Sequence, residues 1–152
     1  GLAAWRAMGM QLRQPRFLAM LAEAYGKAGR AEEGLNVLAE ALAVMDKTGE
    51  REYEVELYRL KGMLTLQSEV RSPRSRVERE AEKWFQKAIE IARRQSAKSL
   101  ELRAVMSLSR LWRRQGKGNE ARQMLGDIYG WFTEGFDTAD LQEAKALLDE
   151  LA

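Results

Sequence analysis

Residues 18–41 read LAMLAEAYGKAGRAEEGLNVLAEA, and their hydrophobic periodicity predicts two helices joined by a tight turn. Gly29, between the two, suits the left-handed backbone that closes a helix. Each predicted helix has one face of apolar and small residues, and the small ones let two antiparallel helices approach closely. These faces consist of Leu18, Leu21, Ala22 and Tyr25, then Gly34, Leu38 and Ala41. The stretch therefore predicts a helix–turn–helix pair.

The pair recurs later in the chain, with Gly116 in the place of Gly29 and the same spacing throughout. The other counterparts are Val105, Leu108, Ser109, Trp112, Ala121, Leu125 and Ile128. A looser copy lies between the two. Its first helix has Leu57, Leu60, Lys61 and Leu64, and its second has Ala81, Phe85 and Ala88. This pattern resembles the tetratricopeptide repeat, a helix–turn–helix unit of about 34 residues.

The repeats predict an all-α fold over one domain, residues 1–152. We expect a tetratricopeptide-like, right-handed superhelix of antiparallel helix pairs, with about eight helices. A terminal helix is needed to cover the last layer of a repeat array. The predicted segments are 1–14 (second helix of a truncated repeat), the pairs 15–48, 51–97 and 100–132, and a capping helix at 138–151.

Composition excludes several classes of function. The chain has no cysteine and no histidine, and its formal net charge is +2. Disulfides, thiol chemistry and the commonest general base and metal ligand are therefore absent from it. No phosphate-binding loop and no apolar run long enough for a membrane span is visible. We expect no enzyme, no cofactor and no membrane contact in these residues, and a cytoplasmic location.

Two segments that connect predicted helices have open interpretations. Residues 68–77, with Pro73 and three arginines, predict an exposed loop, which could alternatively contact phosphate or nucleic acid. The aromatic residues of 129–136 are expected to pack under the capping helix, with a partner-binding patch as the alternative. Thr138 is the expected N-cap of that helix, with Asp140 in its first turn.

Three segments carry a more specific resemblance: LAEAYGKAGRAEEGLNVLAEALA (21–43), ELYRLKG (56–62) and IYGWFTEGFDTADLQEAKALLDEL (128–151). They resemble the C-terminal region of large bacterial signalling proteins. Those proteins join a class III adenylate or guanylate cyclase domain, or a DNA-binding domain, to a STAND-type ATPase and a tetratricopeptide array. The resemblance implies a regulatory, partner-binding role and carries over no cyclase or ATPase residue. The chain opens with Gly1, and we expect it to be a fragment of such a protein.

In the repeat geometry the first helix of each pair lines a concave groove, so residues beside its buried stripe face the partner. The predicted groove residues are Arg16, Met20, Glu23, Lys27, Tyr58, Arg59, Arg103, Met106, Arg110, Arg113 and Arg114. Most are basic and only Glu23 opposes them. The expected partner is an acidic protein or peptide, or the parent's own upstream domain.

Two further interactions follow from the sequence. The alternative functions are nucleic-acid contact, which the near balance of acidic and basic residues disfavours, and sensing of a small ligand. Residues 2–13 carry an apolar stripe at helical spacing. If it is the second helix of a truncated repeat, it is left without its upstream partner. We therefore expect self-association, as a homodimer, through Leu2, Trp5, Met8 and Leu12.

Overall fold

A computed structural model describes residues 14–68 and 72–152, together with Ala3, Ala4 and Gly9. Within these residues the chain forms seven α-helices and no strand, which confirms the all-helical prediction. The predicted helix of residues 1–14 falls almost wholly outside the described residues. The seven helices are α1 (Pro15–Lys27), α2 (Ala31–Thr48), α3 (Glu54–Gln67), α4 (Arg74–Arg94), α5 (Lys98–Arg114), α6 (Gly118–Tyr129) and α7 (Ala139–Leu151).

The turns that join α1 to α2 and α5 to α6 have the same geometry. Gly29 and Gly116 adopt positive φ angles of 75° and 79°. The amide that follows each glycine donates a 2.8 Å hydrogen bond to the carbonyl of Tyr25 or Trp112, which closes the helix end. The α4–α5 turn has the same bond pattern, but Ser96 takes the left-handed position with φ 54°. The equivalence of Tyr25 and Trp112 in sequence is thus an equivalence of structure.

The helices form one continuous layer with a second set packed on it. Successive helices are antiparallel, as the bond between Ser68 at the end of α3 and Glu32 at the start of α2 illustrates. Alternate helices are parallel, since Arg103 near the start of α5 reaches both Glu56 in α3 and Asp140 in α7. Helices α1, α3, α5 and α7 contact one another in order, whereas α2, α4 and α6 each sit against two members of that layer.

The core is continuous through α3. One apolar cluster joins α1, α2 and α3, and a second joins α3 to α7. Helix α7 contributes Leu141, Ala144 and Leu147, all buried, to the second cluster. Thr138 directly precedes α7, but its hydroxyl donates to the carbonyl of Gly135 (2.7 Å) and so closes the preceding turn instead of capping the helix.

The middle pair differs from the prediction at one position of α3, since Leu57, Leu60 and Leu64 are buried as predicted but Lys61 is not. Gly62, not Lys61, holds the buried close-contact position on α3, because the ring of Phe85 on α4 lies directly against its backbone. A Cβ atom at this glycine would come within 2.5 Å of the ring. Lys61 lies beside the contact and is only half-buried, whereas Ala22 and Ser109 in the other pairs are fully buried.

One helix boundary and one core position also differ from expectation. Helix α4 begins at Arg74, because the carbonyl of Pro73 accepts from the amides of its first turn; part of the predicted 68–77 loop is therefore helical. Arg71, in the same loop, lies outside the described residues. Leu21 is 44% exposed, although its counterpart Leu108 is buried against α4. The segment that precedes α1 in sequence lies outside the described residues.

Candidate partner-binding surface

The predicted groove residues all lie on three adjacent helices of the continuous layer. Arg16, Met20, Glu23 and Lys27 are on α1, Tyr58 and Arg59 on α3, and Arg103, Met106, Arg110, Arg113 and Arg114 on α5. The structure therefore brings these helices side by side, but it does not leave every one of these side chains accessible.

Two predicted groove residues are interior. Met106 is 2% exposed and belongs to the core cluster of α3–α7. Arg59 is 6% exposed, and its guanidinium pairs with Glu56 at 2.8 Å one turn earlier. The cause is the close approach of α3 to α5, which buries the flanks of both helices as well as their central stripes. Neither residue is available to a partner, so the prediction was wrong for both.

Tyr58 faces α4 and not the groove. Its ring stacks on Trp84 with centroids 5.7 Å apart and an interplanar angle of 13°. The ammonium group of Lys61 lies 3.9 Å from the centre of the indole, and that of Lys87 lies 4.5 Å from the centre of the Tyr58 ring. This cluster was missed in the sequence because its members come from two helices and only tertiary packing brings them together.

The predicted strip of positive charge is largely neutralised. The sequence suggested that only Glu23 opposes the strip, and Glu23 does pair with Lys27 at 3.4 Å. In addition, α7 runs parallel to α5 and presents a row of carboxylates to its arginines. These pairs are Arg103–Asp140 (3.8 Å), Arg110–Glu143 (3.6 Å) and Arg113–Glu150 (2.5 Å). The strip is thus an ion-paired seam between two helices, and the expectation of a single opposing acid was wrong.

A cleft between α3 and α5 retains basic and apolar character together. We call it the groove cleft; it measures about 230 Å³ and its floor is formed by Met63, Leu66 and Phe85. Arg110 and Arg114, in the last turns of α5, stand at its rim. No described carboxylate oxygen lies within 4.0 Å of the Arg114 guanidinium.

The groove cleft can accept one specific kind of side-chain pair. Its apolar floor suits a large aliphatic or aromatic side chain, and the guanidinium groups at its rim can bind a carboxylate in bidentate geometry. Arg110 is 50% exposed at its side chain, so its pair with Glu143 is solvent-screened and weak. An incoming carboxylate can therefore compete with Glu143.

In the described residues, Arg74 and Arg76 of the predicted 68–77 loop lie in the first turn of α4 and not in a loop. Arg74 donates to the carbonyl of Leu66 (2.8 Å) and pairs with Glu78 within α4 (3.4 Å). Within the described part of the chain, no group of three or more acidic residues is placed to hold a metal ion. None of the described helices has both the length and the apolar character of a membrane span.

Comparison with protein-family models, with curated proteins and with solved structures finds no match to this chain.

Proposed function

We propose that this chain is a tetratricopeptide-like interaction module, a right-handed superhelix of antiparallel helix pairs that binds a partner segment along the layer of α1, α3 and α5. Three features support the proposal. Two of the three pairs share a turn geometry, alternate helices of the layer are parallel and in contact, and α7 covers the second apolar cluster. Repeat arrays of this kind bind partners on the surface of such a layer.

The groove cleft is the observation that carries the proposal. It combines an apolar floor with Arg110 and Arg114, which is the chemistry that recognises an acidic segment with one large apolar side chain. Its position between two helices of the layer also suits an extended peptide that crosses several repeats.

The resemblance described above supports a regulatory role for this binding. In that arrangement the module belongs to a larger bacterial signalling protein with a cyclase or ATPase, acts in the cytoplasm and is not itself catalytic. Its partner is then an acidic protein segment or an acidic face of the parent's upstream domain.

The test is a selection of binders from a random-sequence peptide display library. We expect the selected peptides to share one large apolar residue flanked by Asp or Glu, and we expect their affinity to fall as salt rises. A double variant, Arg110→Glu with Arg114→Glu, should lose binding by at least about tenfold, since two charge-assisted contacts of about 1.5 kcal/mol each become repulsive.

The matched control is Arg79→Glu with Arg122→Glu, which changes the net charge equally on exposed positions of α4 and α6. The control should bind as the parent does. Selected peptides without acidic residues, or unchanged binding by the Arg110/Arg114 variant while its helical spectrum is intact, would contradict the proposal.

A further inference from the structure

A second cleft lies at the opposite end of α5 from the groove cleft. It measures about 410 Å³ and lies between the first turn of α5, the exposed face of α6 and the turn that follows α6. We call it the Trp131 cleft, after the indole at its edge. Glu101 in this cleft and Arg114 in the groove cleft are separated by roughly 20 Å along the axis of α5.

A buried carboxylate with one free oxygen lines this cleft. Glu101 is 5% exposed, and its Oε2 accepts a hydrogen bond from Nε of Arg93 (3.2 Å). Its Oε1 is buried and accepts no hydrogen bond; Nζ of Lys98 lies 3.6 Å away, which is too long for one. A buried acceptor without a donor is costly, so this oxygen favours a ligand that brings an N–H group.

Two more carboxylates leave the cleft with uncompensated negative charge. Glu120 and Asp127, on α6, line the same cleft. No described Lys or Arg nitrogen lies within 4.0 Å of either carboxylate. Two cations, Arg93 and Lys98, and three carboxylates line the cleft, which leaves it with one net negative charge, although the whole chain has a formal net charge of +2.

An exposed aromatic ring completes the site. Trp131 is 57% exposed, and its ring is supported edge-on by Phe132, with centroids 5.1 Å apart. Nζ of Lys98 lies 5.7 Å from the centre of the indole and therefore already uses this ring as a cation–π partner. The same Lys98 ammonium group lies near Oε1 of Glu101. Lys98 therefore occupies the place that a bound cation would take between Trp131 and Glu101.

We propose that the Trp131 cleft binds an organic monocation, the ammonium or guanidinium group of an aliphatic arm. The cation takes the place of Lys98 over Trp131, donates to Oε1 of Glu101, and is held further by Glu120 and Asp127. A divalent metal ion does not fit, because no three acidic side chains of the described residues converge closely enough to ligate one. The carboxylates are spread along the cleft, which suits an extended cation.

The experiment is an NMR titration of the full chain with arginine amide, observed at the indole N–H of Trp131. Citrulline amide, which has the same length and a neutral end, is the matched control ligand. We expect a saturable shift with arginine amide and none with citrulline amide. Trp131→Ala should weaken binding about fivefold, the equivalent of one cation–π contact of about 1 kcal/mol; its binding is read at the amides of α6.

Variants of the charged side chains test whether each contributes to cation binding. Glu101→Gln should weaken binding, and so should Glu120→Gln with Asp127→Asn, which alters only exposed residues and so leaves the fold intact. Lys98→Met should tighten binding because it removes the resident cation. Equal shifts with citrulline amide, no saturation, full affinity in Trp131→Ala, or no gain in Lys98→Met would overturn the proposal.

A comparison of ligands identifies the source of the cation. A peptide with a central arginine that binds at least tenfold more tightly than arginine amide assigns the ligand to a protein partner; equal affinity assigns it to a free organic amine.

A further measurement tests whether this site is independent of the groove cleft. The Arg110→Glu, Arg114→Glu variant should bind arginine amide as the parent does. Loss of binding in that variant would contradict the independence of the Trp131 cleft.

Discussion

At the scale of single residues, the three turns of the same bond pattern, those that follow α1, α4 and α5, each depend on one left-handed residue. Ser96 holds that position in the α4–α5 turn with φ 54°, where the other two turns have Gly29 and Gly116. A residue with a Cβ atom is strained there, by about 1 kcal/mol or more. Backbone strain at this turn therefore lowers the free energy of unfolding, and the turns with glycine are free of that strain.

Ser96→Gly should raise the free energy of unfolding by about 0.5–1 kcal/mol, because relief of this strain outweighs the extra freedom of glycine in the unfolded chain. Denaturant melts give the value. The reciprocal change Gly116→Ser should lower the stability by a similar amount. A less stable Ser96→Gly variant would show that the serine makes a contact that compensates for its backbone.

A buried hydroxyl without a hydrogen-bond partner also lowers the free energy of unfolding. Ser109 is fully buried and its Oγ has no hydrogen-bond partner, whereas Ala22 holds the equivalent position in the first pair. Ser109→Ala should therefore raise the free energy of unfolding by about 1 kcal/mol, since it removes an unsatisfied polar group without changing the packing. Ala22→Ser is the matched reverse change and should destabilise. Thermal and denaturant melts of both variants decide the matter; a loss of stability in Ser109→Ala would contradict it.

At the scale of helix elements, close approach within pairs rests on small side chains. Ala22 and Ala41 are both 0% exposed, on α1 and α2. Replacing either by Leu should overpack the interface and cost about 1–3 kcal/mol of unfolding free energy. Ala39→Leu, on the exposed face of α2, is the control and should change little. Unchanged melts for both core variants would mean that the two helices are not in contact at these residues.

The contact between α3 and α4 also brings lysines together. Burial lowers the pKa of Lys61 most; the ammonium groups of Lys87 and Lys83 lower it further, and Glu80 acts in the opposite direction. Because the folded chain then holds this proton less tightly than the unfolded chain, charged Lys61 destabilises the fold at neutral pH. The destabilisation is relieved as pH rises through the folded pKa towards the ordinary lysine value of about 10.4.

We therefore expect Lys61 to contribute a rise in stability over the alkaline range just below that value. Lys61→Met should abolish this rise, and Lys47→Met, on the exposed side of α2, should retain it. The measurement is the unfolding free energy of the three proteins as a function of pH. The same alkaline rise in the Lys61→Met variant would contradict the assignment.

At the scale of the whole molecule, the first helix that the structure describes, α1, has exposed apolar side chains. Phe17, Met20 and Leu21 are 42%, 58% and 44% exposed and lie on adjacent positions of α1. Contiguous exposed apolar residues favour association. The expected homodimer through the N-terminal end therefore stays a prediction, with α1 as a second contributor beside Trp5, which lies outside the described residues.

Light scattering should give a mass above that of the monomer at high protein concentration. Trp5→Glu and Leu21→Glu should each shift the protein towards the monomer, whereas Phe136→Glu, an exposed aromatic residue at the other end of the chain, should not. A monomer at all concentrations, or dimers that both N-terminal variants leave intact, would contradict the prediction.

The sequence by itself determined the local architecture. Helix positions, the turns at Gly29 and Gly116 and the apolar face of α7 follow from periodicity and from glycine stereochemistry, which act within one or two helical turns. These features are predictable because each depends on residues that are close in the chain. The order of the helices along the array follows from the same local signals together with short connections.

Only the tertiary structure decided which side chains beside the buried stripes are accessible. The approach of α3 to α5 buries Met106 and Arg59, and the ring of Phe85 selects Gly62 as the contact position of the middle pair. The carboxylates of α7 neutralise arginines for which the sequence predicts no partner, Arg113 among them. The physical reason is that burial and charge pairing between helices depend on interhelical distance and register, and these are set by the packing of residues that are far apart in the chain.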